Sequence, residues 1–205
     1  PEIDTIFNDF KERFKNSIYS KPSQELYDEK VKALTASVSV ERDSGKYDDP
    51  NIEKYEKFVG NPASDFFGLT LKNNRVALSD LIGKVIYVDV WASWCGPCRK
   101  EIPYSRKIQR EFEGSKKVVF LNVSLDRNKK AWERVLNAEN EFDGVHIIIP
   151  KKNQDSFMND YLITGIPRYF IINQMGTIVS INASRPSSGK VKGEIEEVLK
   201  SIGTK

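Results

Sequence analysis

This chain is poor in the residues from which metal sites and disulfide scaffolds are built. Among its 205 residues there are two cysteines and one histidine. Two cysteines are too few for the several disulfides of a small secreted scaffold, and a structural zinc site normally needs four Cys or His ligands. Because His146 is the single histidine, we predict no metal site. The cysteines are therefore either a redox pair or two inert buried thiols.

Long apolar runs and a strong excess of one charge are also missing. The sequence contains no run of about 18 apolar residues, so it predicts no membrane-spanning helix. The N-terminal PEIDTIFNDF lacks the charged-then-apolar order of a signal peptide. Because the chain begins at Pro1 rather than at methionine, we expect a processed or truncated product whose export signal or membrane anchor could have been removed upstream. The net charge of +3 comes from 32 basic and 29 acidic residues spread along the chain, which predicts no nucleic-acid partner.

The hydrophobic pattern changes near residue 60. Before this point apolar residues recur at helical spacing, as they do from Ile3 to Phe14, and predict a helical N-terminal segment over residues 1–60. Its apolar stripe either packs on the rest of the chain or docks a partner or second subunit. The tripeptide GNP then breaks the pattern. We place a domain boundary there and assign residues 61–205 to a single α/β domain.

Strand and helix patterns alternate in the second part. A small hairpin is predicted over FFGLTL and the residues after Asn73-Asn74. Two buried strands are predicted at KVIYVDV and KVVFLNVSL, joined by a helix over CRKEIPYSRKIQREFE. Strand, helix, strand implies a right-handed parallel crossover. The elements predicted further along are a helix from Asn128 to about Glu139, a strand VHIII, a helix from Gln154 to Leu162, a hairpin RYFIINQMGTIVSI and a helix from Lys190 to Ile202. The domain is thus predicted to have a central sheet.

Both cysteines lie in WCGPC, at the junction between the strand KVIYVDV and the first helix. Backbone N–H groups and the dipole at a helix N-terminus favour a thiolate, so Cys95 is the predicted nucleophile. Cys98 follows one turn later, within disulfide reach, and is the predicted resolving thiol. Pro97 stiffens the first turn, and Gly96 allows a partner to approach. Two cysteines at this spacing can also be a coincidence of composition, but the junction, the Gly-Pro and Trp94 favour redox function.

These residues resemble the thioredoxin superfamily. WCGPC after VDVWAS, with GIPRYFIIN further along, matches its active-site pattern, and the resemblance covers roughly residues 61–202. The N-terminal hairpin, the CRKEIP continuation and the helix-strand segment from Asn128 to Ile149 are similar to the TlpA/ResA-like branch. The helical segment in front resembles that of Bacteroidetes-type thiol-disulfide proteins. The resemblance implies a thioredoxin-like fold, with a central mixed sheet flanked by helices and a helix-strand insertion, and a thiol-disulfide oxidoreductase without a tightly bound cofactor.

Two acidic residues accompany the cysteines. Asp89 interrupts an apolar strand, where a buried carboxylate has a raised pKa and could exchange a proton with Cys98, or else it caps the strand end or faces water. The resemblance implies the first role, because Asp89 matches the buried aspartate of thioredoxins. Glu101 shares a helical face with Cys98. In the TlpA/ResA-like branch this glutamate tunes thiol acidity, whereas a glutamate on a helix surface is usually solvated.

A substrate-binding surface is expected beside the cysteines. Pro167 resembles the cis-proline that faces the active-site disulfide in this superfamily, and a cis bond there exposes the Ile166 backbone to an extended substrate. Trp94 is expected on the docking surface, whereas Trp91 is expected to pack in the core. Arg168 either favours an acidic partner or, as we expect, points into solvent.

The leading hypothesis is a thiol-disulfide oxidoreductase that acts on disulfide-containing proteins and exchanges electrons with an upstream redox partner. Gly-Pro between the cysteines resembles thioredoxin, at about −270 mV, rather than oxidising relatives near about −120 mV, and so favours a reductant. Members of the TlpA/ResA-like branch commonly reduce exported proteins. The resemblance therefore implies a periplasmic or otherwise extracytoplasmic location and allows a membrane anchor upstream of this chain.

Two other functions stay open. A thiol peroxidase of the peroxiredoxin type shares the fold but has its cysteine after a Pro and a Thr, and here Pro62 and Thr70 precede no cysteine. A non-enzymatic module that binds copper or a partner is the second. Copper-delivering relatives combine a differently spaced cysteine pair with a histidine, and His146 does not match the position of that histidine.

Overall fold

The computed structural model describes Tyr55, residues 57–138 and residues 143–201. Most of the predicted helical segment over residues 1–60 lies outside these ranges. Seven strands occur in the described part: β1 (Phe67–Leu69), β2 (Arg75–Ala77), β3 (Val85–Trp91), β4 (Val118–Ser124), β5 (Val145–Ile148), β6 (Arg168–Ile172) and β7 (Ile178–Ser180). The α-helices there are α1 (Gly96–Glu111), α2 (Lys129–Ala138), α3 (Lys151–Asp160) and α4 (Val191–Ser201). None of these helices has the length and apolar character needed to span a bilayer.

All seven strands join one mixed sheet in the order β2-β1-β5-β4-β3-β6-β7. Strand β4 pairs in parallel with β3 and β5, and the other neighbours in the sheet pair antiparallel. The parallel pairs follow from helical crossovers, because parallel strands cannot be joined by a tight turn. This sheet with its flanking helices confirms the predicted α/β fold.

Strand β3 lies near the middle of the sheet, and all seven of its residues are buried. Side chains alternate between the faces of a strand. Ile86, Val88 and Val90 accordingly belong to the main apolar core. Trp91 points the other way and packs with Ile102 of α1. The helix that carries the cysteines therefore covers the second face of β3.

The N-terminal hairpin and the insertion both form as predicted. Strands β1 and β2 pair antiparallel around a turn in which Asn73 has a positive φ of 62°. The insertion contributes α2 and β5, and β5 lies between β1 and β4 in the sheet. Gly144 directly precedes this strand with a φ of 98°, and a Cβ there would lie 2.7 Å from the Phe120 carbonyl oxygen. A larger residue would clash at this approach to β4.

Helix α3 begins at Lys151, three residues before the predicted start at Gln154. Pro150 occupies its N-cap, and the first two residues of the helix, Lys151 and Lys152, are exposed. An exposed polar turn has no apolar periodicity, so the sequence pattern gave no sign of it.

Contacts with the domain begin before residue 61. Tyr55 is buried in the main core. The Gly60 N–H donates to the Ile178 carbonyl at 2.9 Å, and the Ile178 N–H donates to the Asn61 carbonyl at the same distance. The chain around residue 60 is thereby fixed along strand β7.

Candidate active site

The two cysteines lie where strand β3 passes into helix α1. Cys95 is the N-cap of α1 and is joined by a disulfide to Cys98, with 5.3 Å between the Cα atoms. The Cys98 N–H donates to Cys95 Sγ at 3.2 Å. Both cysteines are buried. Cys95 thus meets the unpaired N–H groups and positive end of the helix, a setting that favours a thiolate once the disulfide is reduced.

The first turn of α1 leaves space next to the disulfide. Pro97 stands in this turn, where its missing N–H costs no helical hydrogen bond. Gly96 and Pro97 are exposed. A Cβ on Gly96 would have no atom of the protein within 4 Å. The surface above Cys95 is therefore open to another molecule.

The loop before β6 faces the disulfide. The Ile166–Pro167 peptide bond is cis. Cys95 Sγ lies 3.8 Å from the Ile166 carbonyl oxygen. Trp94, directly before Cys95, has 70% of its surface exposed, whereas Trp91 is buried as predicted. Residues that are far apart in sequence thus form one surface around Cys95.

Asp89 is a buried carboxylate on the α1 side of β3. It is 6% exposed, and its Oδ1 has no hydrogen-bond partner in the described part of the chain. Its cross-strand neighbour on β6 is Tyr169, and on β4 it is Asn122. Burial raises the pKa of Asp89 to about 8, and the charge of Glu101 adds to the shift. Asp89 can therefore gain or lose a proton near neutral pH.

Glu101 is buried rather than solvated, at 7% exposure. The backbone N–H and the hydroxyl of Ser187 donate to its two carboxylate oxygens, both at 2.9 Å. Ser187 belongs to the short 3-10 turn Pro186–Ser188, so these bonds attach α1 to a distant part of the chain.

Burial raises the pKa of Tyr169 well above its ordinary value, and the charges of Asp89 and Glu101 raise it further.

Asp126 is a buried acidic residue that sequence reasoning missed. Its carboxylate accepts hydrogen bonds from the Ser93 N–H at 2.8 Å, the Ser93 hydroxyl at 2.6 Å and the Ser124 hydroxyl at 2.8 Å. Ser93 lies two residues before Cys95, so Asp126 fixes the loop that leads into the disulfide. The sequence offered a signal for this residue, because Asp126 follows β4. Neighbouring parallel strands end at the same edge of a sheet, so Asp126 is expected near the end of β3, where the cysteine loop begins.

Arg168 corrects one expectation, because it does not point into solvent. It is 7% exposed. One guanidinium nitrogen donates to the Tyr55 hydroxyl at 2.7 Å and another to Asn182 Oδ1 at 2.9 Å. The guanidinium also lies 4.7 Å from the centre of the Tyr55 ring. The physical reason is Tyr55, which comes from before the predicted domain boundary and covers this side chain.

Comparison with known proteins gives a family match over most of the chain. Residues 58–199 match the family model described as Redoxin. The thioredoxin-like protein YneN of Bacillus subtilis is 30% identical over 68% of this chain and 78% of its own length. The thiol-disulfide oxidoreductase ResA of Geobacillus kaustophilus is 30% identical over 73% of this chain and 81% of its own length.

Solved structures agree with this match. A crystal structure from Bacteroides vulgatus, of a protein provisionally named a thiol-disulfide oxidoreductase, superposes with a TM-score of 0.61 at 36% identity. The superposition covers 67% of this chain and 94% of the other. The likeness thus extends over nearly the whole of that protein.

Proposed function

The chain belongs to the Redoxin family and is a thiol-disulfide oxidoreductase, and we propose that it works as a reductant of disulfide-containing proteins. The observation that carries the exchange reaction is the Cys95–Cys98 disulfide at the N-terminus of α1, with Cys95 Sγ 3.8 Å from the Ile166 carbonyl, and Gly-Pro between the cysteines supports the reducing direction. This geometry supports a disulfide that is reduced and re-formed while a substrate lies against the cis-proline loop.

Reduction proceeds in two exchange steps. In the reduced protein the Cys95 thiolate attacks one sulfur of the substrate disulfide, and the other substrate sulfur leaves as a thiolate. Cys98, after losing its proton, attacks Cys95 Sγ, and the second substrate sulfur leaves. The substrate gains two electrons and, with two protons, becomes a dithiol, while the protein becomes the Cys95–Cys98 disulfide. An upstream dithiol partner then reduces the protein again.

Asp89 and Glu101 manage the proton of Cys98 in this scheme. A proton acceptor works best when its pKa is close to the working pH, and the pKa of about 8 for Asp89 meets that condition. Cys98 packs with Trp91, on the face of β3 that also carries Asp89. Asp89 accepts the Cys98 proton, and the Glu101 carboxylate, held by Ser187, keeps Asp89 basic enough to do so.

The substrate binds by its backbone against Ile166 and Pro167. An extended peptide that pairs with exposed main chain is recognised with little regard to its sequence. Trp94 supplies an exposed aromatic surface beside the thiol. The open space above Gly96 and beside Pro97 admits the substrate chain. These groups position the substrate sulfur in line with Cys95.

Substrates with stable disulfides are typical of an oxidising compartment. Structural disulfides form and persist in extracytoplasmic spaces, whereas cytosolic thiols are kept reduced. We therefore propose a periplasmic or other extracytoplasmic location, with a membrane anchor upstream of the sequence given. Gly-Pro between the cysteines, as in thioredoxin, supports electron flow from this protein to its substrates.

The proposal is tested by trapping the mixed disulfide. In Cys98→Ser the resolving thiol is absent, so reduced protein should form a stable covalent adduct with a disulfide-containing protein, visible on non-reducing gels and by mass spectrometry. The chain has no third cysteine, so any adduct reports on Cys95 alone. Turnover by Cys98→Ser should fall at least about a thousandfold, because the second step is lost.

Cys95→Ser is the matched control. It keeps one buried cysteine in the same turn but removes the nucleophile, so it should neither trap substrate nor turn over. Equal trapping by the two variants would contradict the assignment of Cys95 as nucleophile. If wild-type protein consumes hydrogen peroxide but leaves protein disulfides intact, the peroxidase alternative replaces this proposal.

A further inference from the structure

We propose that the exposed side of helix α1 is a docking face for an acidic region of the disulfide-bearing protein substrate. The docking face consists of Trp94, Arg99, Lys100, Tyr104 and Lys107. This inference rests on the proposed function and deepens it, because a substrate held here presents its disulfide to Cys95.

Three residues of the docking face form a stripe along α1, and Trp94 and Arg99 lie near the N-terminal end of that helix. Lys100, Tyr104 and Lys107 are separated by four and three positions and therefore lie on the same side of α1. All three are exposed, whereas Cys98 and Ile102 are buried on the opposite side and Glu101 is buried next to the stripe. The stripe begins beside the exposed residues at the N-terminus of α1, so it reaches the opening above Cys95.

The exposed charges along this stripe are positive as far as Lys107, and the exposed Glu111, four residues further on the same side of α1, pairs with Lys192 at 2.9 Å. Between residues 96 and 110 the single acidic residue is Glu101, which is buried. The basic residues of the same stretch are Arg99, Lys100, Arg106, Lys107 and Arg110. Helices α2 and α4 instead mix signs, and α2 has an ion pair between Lys129 and Glu133 at 3.6 Å.

The basic side chains of the docking face are available to a partner. In the described part of the chain, Arg99, Lys100 and Lys107 form no ion pair. Arg99 and Lys100 also stand near the N-terminus of α1, and the first turn of α1 has no acidic residue. A cation there opposes the helix dipole and slightly destabilises the helix. The helix therefore carries these charges against its own stability.

Exposed aromatic side chains collect at the same place. In the part of the chain that the structure describes, the large hydrophobic residues with the most exposed surface are Leu71, Trp94 and Tyr104, at 40%, 70% and 50%. Two of these three belong to the docking face. Trp, Tyr and Arg are the residues most enriched among the energetically important contacts of protein interfaces.

Charge complementarity identifies the occupant as an acidic protein surface. Backbone pairing at Ile166 binds an extended substrate without reading its charge. The neighbouring basic helix selects substrates by their negative charge, because opposite charges steer diffusing partners together and mainly raise the association rate. The substrates favoured by this protein should therefore carry Asp or Glu in a region that lies against α1 while the disulfide meets Cys95.

The test compares two disulfide peptides of equal length, which carry a run of aspartates or a run of lysines about six residues from the disulfide, a distance that lets an extended chain reach Lys107. Wild-type protein should reduce the acidic peptide with a kcat/KM about tenfold higher at low salt, and this preference should shrink as NaCl screens the charges. Lys107→Glu should lower kcat/KM for the acidic peptide about threefold or more and raise it for the basic peptide.

Lys107 is chosen because it lies far from the thiols. It is twelve residues beyond Cys95, about 18 Å along the helix, while charges in about 0.15 M salt are screened over about 8 Å. Lys107→Glu should therefore leave the midpoint potential of the Cys95–Cys98 couple unchanged. Lys152→Glu is the control, since it reverses an equally exposed lysine on α3.

A neutral small disulfide, hydroxyethyl disulfide, separates the two claims. If all three proteins reduce it equally while only Lys107→Glu loses the acidic preference, the docking face is supported. Equal kcat/KM for both peptides in wild-type protein, or equal effects of Lys107→Glu and Lys152→Glu, would overturn the docking face and leave the oxidoreductase intact. Failure of wild-type protein to reduce the neutral disulfide would overturn the proposed function, and the docking face with it.

Discussion

The two faces of strand β3 differ sharply, although both come from the same seven residues, VIYVDVW. On one face Ile86, Val88 and Val90 enter the main apolar core. On the other, Asp89 is buried between its cross-strand neighbours and is influenced by the charge of Glu101 on the helix above. Burial is nearly complete on both faces, so exposure does not explain the difference.

The difference shows that one face of β3 stabilises the fold, whereas the other carries the acid proposed to take part in the chemistry. The apolar face holds the sheet together and gains from every methyl group removed from water. The other face, covered by the helix that begins at Cys95, tolerates an uncompensated carboxylate that costs stability. Unlike the buried Asp126, whose carboxylate accepts three hydrogen bonds, Asp89 has an oxygen without a hydrogen-bond partner in the described part of the chain, and it lies on the face covered by the disulfide helix.

The largest effect should come from moving a carboxylate to the apolar face. In Val88→Asp the new carboxylate would be fully buried with no polar neighbour provided for it, so the free energy of unfolding should fall by more than about 4 kcal/mol. Urea denaturation measures this loss. Val88→Ala, which leaves only a small cavity, is the control and should lose clearly less. Equal losses would show that the two faces do not differ in their tolerance of charge.

Replacing the natural carboxylate of Asp89 with an amide should raise the free energy of unfolding. The pKa of Asp89 is about 8 in the folded protein and near its ordinary value when unfolded, so the stability linked to its protonation is present in full at low pH and is lost as pH rises towards 8. Asp89→Asn removes this loss. Oxidised Asp89→Asn should be more stable than wild type by about 2 to 4 kcal/mol at neutral pH.

The same measurement near pH 4 sharpens this prediction. There Asp89 is protonated in the folded protein, and the advantage of Asp89→Asn should nearly vanish. An advantage that is the same at both pH values would mean that shape, rather than charge, makes the difference.

A smaller effect is expected from Glu101→Gln. This change keeps an oxygen for Ser187 but removes the negative charge that helps to raise the pKa of Asp89. NMR titration of the Asp89 carboxyl carbon in oxidised protein, in which no thiol titrates, should show a lower pKa than in wild type, by about one unit or less. Glu111→Gln, at the exposed end of the same helix, should leave it unchanged. A pKa that stays near 8 in Glu101→Gln would remove Glu101 from the proton path.

The part of this arrangement that was predictable is the part that lies close together in sequence. WCGPC after an apolar strand located the cysteine pair, and the single acid in VIYVDVW stood out against its neighbours. The periodicity of the later segments predicted a central sheet with its helices, and the resemblance to the thioredoxin superfamily implied that the sheet is mixed. In each case the signal is local, because strand alternation and helix spacing are properties of neighbouring residues.

Long-range contacts were out of reach for the same reason. Nothing in the sequence links Ser187 to Glu101, or Tyr55 to Arg168, because both pairings arise only after the chain has folded. Arg168 was therefore expected in solvent, as a lone arginine after a proline usually is. Asp126 could have been found, since it follows a strand parallel to β3 and ends beside the cysteine loop.

The most direct test of the central claim is the midpoint potential of the Cys95–Cys98 couple, measured by equilibration with a defined dithiol buffer. A reductant should have a potential near that of thioredoxin, at or below about −250 mV. A value above about −200 mV would contradict this account, because the protein would then accept electrons from its substrates as an oxidant or isomerase.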